Sequence, residues 1–133
     1  MRYVLDASVA VAALRASEPH HADALRRCMP LFAGADEIVV PAIFDVEVVS
    51  ALARRGVSAA GIERFFEAHF ATRRLVTLGP RAARAARAVA ANTQLRAADA
   101  FYVWVAAREG LPLVTLDGDV LARAGAVCRV MKP

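Results

Sequence analysis

Short β-prone runs and longer helix-prone stretches take turns along the whole chain, and no other feature restricts the fold as much. The runs cover residues 2–5, 37–40, 75–78, 113–116 and 126–130. Asp6, Pro41, Gly79-Pro80 and Asp117 follow the first four, and such residues interrupt extended structure. Between the runs, apolar periodicity and alanine-rich composition predict helices over about 7–15, 18–31, 42–55, 58–70, 81–91, 97–109 and 118–124. Strand–helix–strand units of this kind join parallel strands through right-handed crossovers. The expected fold class is therefore α/β, with a mostly parallel central sheet of about five strands and helices on both faces. The 133 residues contain no linker or repeat and amount to a single domain over 1–133.

Composition excludes several classes. Hydrophobic residues make up 58% of the chain, but 31 of them are alanine. No apolar run approaches the ~18 residues of a spanning helix, so no membrane partner is expected. Arg2 and Asp6 interrupt the apolar N-terminal stretch, which argues against a secretory leader. Cys28 and Cys128 lie in no CxxC or Cys/His spacing and read as packing residues in a reducing, cytoplasmic setting. The net charge of +4 rests on sixteen arginines and one lysine. Guanidinium forks match phosphate, so the bias is compatible with a nucleic-acid partner, and equally with a GC-rich genome.

In open α/β sheets, chemistry collects outside the carboxyl ends of the strands. Asp6 follows the first strand, Asp117 follows the fourth, and Asp99 sits in the first turn of the helix leading into the fourth. Glu47 lies about two turns into the helix after the second strand. Four carboxylates on one rim repel each other unless a cation holds them. Oxygen donors without Cys or clustered His favour Mg²⁺ or Mn²⁺ over Zn²⁺. Taken singly, each acid has a structural reading. Asp6 and Asp117 stand where helix caps stand, and Asp99 suits a helix dipole. Glu47 shares a polar helical face with Ser50 and Arg54, whereas Asp45 falls on the apolar face of Phe44, Val48, Val49 and Leu52. Periodicity alone makes Asp45 the suspicious buried acid and leaves the choice between the two open.

The ordered set Asp6-Ala-Ser8, Pro41-x5-Glu47-x4-Leu52, Ala97-Ala98-Asp99-Ala100 and Thr115-Leu116-Asp117 resembles the PIN domain. Within that superfamily the chain is most similar to VapC-type toxins of type II toxin–antitoxin systems, over essentially its whole length. The segment RAADAFYVWVAAREGLPLVTLDGDVL is the most specific part. The resemblance implies a Mg²⁺- or Mn²⁺-dependent endoribonuclease, a hydrolase acting on RNA, with Asp6, Glu47, Asp99 and Asp117 as catalytic acids. It makes Asp6, Asp99 and Asp117 the metal ligands and Glu47 a ligand or water-orienting base. Ser8 and Thr115 match hydroxyl positions that steady the first and fourth acids, and Asp119 is a second acid beside the fourth. The same resemblance selects Glu47 over Asp45, which keeps a structural role, salt-bridged in a dimer or partner surface.

Arg96 is the first candidate to meet the RNA backbone. The Arg81-Arg84-Arg87 stripe reads as a solvated helical face. Tyr102 and Trp104 read as core or dimer contacts, and His20, His21 and His69 carry no role. The family also implies a homodimer and a cognate antitoxin protein seated in an apolar groove. Val9, Val11, Leu14, Leu25, Met29, Leu31 and Phe32 on the early helices are its candidate lining. Two competing classes remain. A non-catalytic nucleic-acid-binding or regulatory module on the same fold would show the loss of an acid, and none is missing. A phosphoryl-accepting receiver would need a lysine after a late strand, and the only lysine is Lys132.

Overall fold

The computed structural model describes all 133 residues. Five strands alternate with seven helices. β1 (Arg2–Leu5), α1 (Ala7–Leu14), α2 (His21–Phe32), β2 (Glu37–Pro41), α3 (Ile43–Arg54) and α4 (Ala59–His69) come first. They are followed by β3 (Arg74–Val76), α5 (Pro80–Thr93), α6 (Ala97–Glu109), β4 (Leu113–Val114), α7 (Gly118–Arg123) and β5 (Val130–Met131). The sheet is parallel throughout, in the order β3-β2-β1-β4-β5. Tyr3 stands opposite Ile38, Leu5 opposite Val114, and Val40 opposite Leu75.

This order positions everything that follows. The chain steps from β1 outward to β2 and β3, then returns across the sheet to β4 on the other side of β1. With right-handed crossovers, the helices of the first half and those of the second half cover opposite faces. The reversal places a crevice at the carboxyl ends of β1 and β4, where such sheets bind ligands. The central strands are buried on both faces and read as continuous apolar runs, Tyr3-Val4-Leu5 and Ile38-Val39-Val40.

Strand ends depart modestly from expectation. Thr115 and Leu116 lie past the paired part of β4, although the Thr115 N–H still donates to Met131 O at 3.0 Å. The last strand is confined to Val130–Met131, because Val127 and Cys128 N–H groups donate to Ala124 O and close a turn after α7. Helix ends follow local chemistry. Ser58 caps α4 by accepting from the Gly61 N–H at 3.1 Å. Gly110 ends α6 at φ 64, a left-handed conformation that glycine adopts without Cβ strain.

The early helices turn their apolar faces inward. Val9, Val11 and Leu31 are buried in the main core, Leu14, Leu25 and Phe32 are half-buried, and only Met29 is exposed. The expected groove lining is thus largely used up in packing α1 and α2 against the rest of the domain. The exposed apolar side chains of α3 are Val46 and Val49. Cys28 is fully buried, which pushes its thiol up to about 12, and both cysteines are free. Both therefore act as packing residues.

Asp45 has an intrachain explanation. Its carboxylate takes a two-pronged ion pair from Arg73, with Nε to Oδ1 at 2.7 Å. The same guanidinium stacks 4.9 Å over Phe66 and donates to Phe70 O at 2.8 Å. The acid that periodicity singled out ties α3 to the end of α4, with no second chain required. No helix is long and apolar enough to cross a membrane.

Candidate active site

Asp6 leaves β1 fully formed and stands at the N-cap position of α1, yet its side chain makes no cap hydrogen bond. Its Oδ2 instead accepts from Ser8 Oγ at 2.9 Å and from Thr115 Oγ1 at 2.5 Å. Both hydroxyls are wired onward. Ser8 Oγ accepts from the Leu116 N–H at 3.3 Å, and Thr115 Oγ1 from the Asp117 N–H at 3.0 Å. The ends of β1 and β4 are therefore laced together through side chains, beyond the sheet's own ladder. The residues read as steadying hydroxyls, Ser8 and Thr115, both converge on Asp6.

Asp117 does two jobs. Its Oδ1 caps α7, accepting from the Asp119 and Val120 N–H groups at 2.9 and 3.0 Å. Its Oδ2 faces Arg96 Nη2 at 3.3 Å, while Arg96 Nε faces Asp99 Oδ2 at 3.4 Å. Arg96 is thus an exposed cation between two of the acids. Asp99 is buried in the first turn of α6. Glu47 arrives from α3 and is half-buried, and its Oε1 is enclosed with no hydrogen-bond partner.

Asp6, Glu47, Asp99 and Asp117, from four different elements, line one open cleft of about 560 Å³. Ser8, Ser50, Arg54, Arg55 and Arg96 line it too. Asp119 does not; it is exposed beside the α7 cap and contributes its backbone N–H to Asp117. The polar face of Glu47, Ser50 and Arg54 lines the cleft, with Glu47 half-buried and Ser50 and Arg54 open to solvent. Sequence reading passed over Arg55 and Glu18, which form an ion pair across the far end of the cleft. That pair joins the loop before α2 to the end of α3, and no periodic pattern records such a link.

Electrostatics sets the character of the cleft. Five carboxylates, those of Asp6, Glu18, Glu47, Asp99 and Asp117, face the guanidinium groups of Arg54, Arg55 and Arg96. Burial pushes the Asp6 carboxyl up, against the lowering pull of Thr115 and Ser8. Burial also raises Glu47, with the charges of Asp6 and Asp99 adding to it. Asp99 is raised by burial and then by Asp117 and Asp6. Arg96 responds in the opposite sense and holds its proton more tightly beside Asp99 and Asp117.

A family profile described as PIN domain matches residues 3–127. This chain belongs to the PIN domain family. Comparison with curated protein sequences finds no match. Solved structures with the same fold include VapBC2 from Rickettsia felis bound to a DNA fragment from their promoter, at TM-score 0.70 and 13% identity, covering 100% of this chain and 99% of that one. VapC20 of Mycobacterium tuberculosis, described as a sarcin-ricin loop cleaving toxin, gives TM-score 0.72 and 19% identity over 92% and 94% of the two chains. A toxin–antitoxin complex from Klebsiella pneumoniae gives 0.65 and 18% over 89% of each. At these identities the likeness is one of fold.

In this PIN domain the acids fit a divalent cation by chemistry more than by present spacing. The donors are hard oxygens, one of them, Glu47 Oε1, is buried without a partner, and a guanidinium already bridges two of the acids. No three acid, cysteine or histidine side chains stand close enough together to hold one ion as they are.

The raised carboxyls carry a stability consequence. A folded-state pKa above the unfolded value means the folded chain binds more protons between the two values. Stability then falls as pH rises from the ordinary carboxylate range, about 4, through the raised values. In chelator, the Asp99→Asn variant should gain thermal stability over wild type as pH goes from 4 to 7. Melting both proteins across that range checks it, and a gap that shrinks with rising pH would reverse the sign.

Proposed function

We propose that this PIN domain is a Mg²⁺- or Mn²⁺-dependent endoribonuclease and the toxin of a toxin–antitoxin pair. The observation that carries the reading is the sign of the cleft. A phosphodiester is anionic, and acids outnumber guanidinium groups where it would bind. Such a cleft repels RNA until a cation enters.

Asp6, Asp99 and Asp117 would hold the ion, with Glu47 as a further ligand or as the group that orients the attacking water. When bound, a divalent ion neutralises charge building on the phosphate oxygens and acidifies a nearby water. Asp6 would meet that ion pre-oriented, because Ser8 and Thr115 both donate to its Oδ2. Arg96, exposed and swung onto Asp99 and Asp117, is free to release them and take up a phosphate. Arg54, another lining residue of the cleft, would contact the strand further along. The family's toxin members and the assemblies among the fold neighbours support a cognate antitoxin as partner. A homodimer and cytoplasmic residence belong to the same reading.

The test is cleavage of purified tRNA and total RNA in Mg²⁺ or Mn²⁺, with EDTA in parallel. Discrete products that vanish in EDTA are expected. Metal binding without any products would instead favour the non-catalytic RNA-binding module.

A further inference from the structure

Tyr102 lies three residues after Asp99 on α6, so both project from one side of the helix. Asp99 reaches the cleft, whereas Tyr102 is 2% exposed beneath it. Its hydroxyl is enclosed and has no hydrogen-bond partner, and the same holds for Glu47 Oε1. The two orphans are neighbours. The phenol acts on the Glu47 carboxyl and sits within reach of the Ala7 N–H, the first amide of α1. Buried polar groups rarely stay unsatisfied, and a phenol and a carboxylate are complementary as donor and acceptor. A phenylalanine would fill the same space, so packing alone does not call for the hydroxyl.

We infer that Tyr102 is a positioning residue for Glu47, its hydroxyl donating to Glu47 Oε1 and holding that carboxyl at the cleft. Burial and the charges of Glu47 and Asp6 push the phenol's pKa upward, so the donor keeps its proton. Glu47 is then anchored from α6, and one helix both supplies Asp99 and orients the acid facing it. Groups that orient metal-binding carboxylates typically change metal affinity 10–100-fold when removed. The inference rests on the divalent-metal reading of the cleft.

Mn²⁺ binding by calorimetry tests it on wild type, Tyr102→Phe, Glu47→Gln and the double variant, with thermal melts to verify folding. Tyr102→Phe should weaken Mn²⁺ about 10-fold and leave the melt intact. In the Glu47→Gln background the same change should shift affinity by less than about twofold, since the group Tyr102 acts through is already altered. Wild-type affinity in Tyr102→Phe, or an equal loss in both backgrounds, overturns the positioning role while leaving the metal site standing. Absence of Mn²⁺ binding by wild type overturns the metal reading itself and this inference with it.

Discussion

Asp99→Asn should abolish RNA cleavage while leaving a folded and more heat-resistant protein. Asp99 is buried, sits between Asp6 and Asp117 in charge, and has its carboxyl pushed up by all three circumstances. Replacing it with an isosteric amide removes like-charge repulsion at no cost in volume. Arg96 loses one ion partner, but its own side chain is largely exposed and keeps Asp117 at 3.3 Å. On the proposed metal-dependent reading function moves the other way, because an amide would neither balance a cation nor help orient a water. Losing one group of this kind typically costs about 10²–10³ in rate. Cleavage assays and melts on the same preparation check both halves. A variant that cleaves like wild type would remove Asp99 from the chemistry, and one that melts lower would contradict the repulsion argument.

Phe70→Ala should be the most damaging single truncation in the core. The ring is fully buried and meets Phe32, Phe44 and Phe66 edge-on, at centroid distances of 5.9, 5.6 and 5.6 Å. It is the aromatic hub where α2, α3 and α4 come together. Removing it leaves a cavity walled by three rigid rings that collapse poorly, so the loss should reach about 3–5 kcal/mol. For a domain of this size that is on the order of 10–20 °C in the unfolding midpoint. Urea titration measures it directly, and a loss below about 1 kcal/mol would show that the neighbours refill the space. Phe44 is one turn from Glu47 on α3, so a surviving Phe70→Ala protein should also lose cleavage through a loosened cleft wall.

Much of the site was legible without coordinates. Apolar β-prone runs and period-3.6 patterns are local, and they report strands and helices faithfully over 2–14, 37–54 and 97–109. Once strands and helices alternate, a parallel sheet with acids at its carboxyl edge follows from chirality and connection rules. The spacing of Asp6, Glu47, Asp99 and Asp117 then matched a family pattern, and the chain belongs to that family. Tyr102, read as a core or dimer contact, is buried in the core.

What tertiary structure alone decided concerns which of two local options each side chain takes. Asp6 and Asp117 both stand at helix starts, yet only Asp117 caps, because Thr115 and Ser8 draw Asp6 away. Asp45 was expected to be salt-bridged at a dimer or partner surface, but its partner is Arg73 of the same chain, 28 residues away. The polar face of Glu47, Ser50 and Arg54 became a cleft wall because β1 and β4 meet beside it. The apolar faces of α1 and α2 became core and not groove. Local pattern sets the elements and their order, and the resemblance to a family singled out the four acids. The pairing of distant segments decided which acids share a cleft and which partner each one meets, because those contacts span tens of residues and leave no periodic trace.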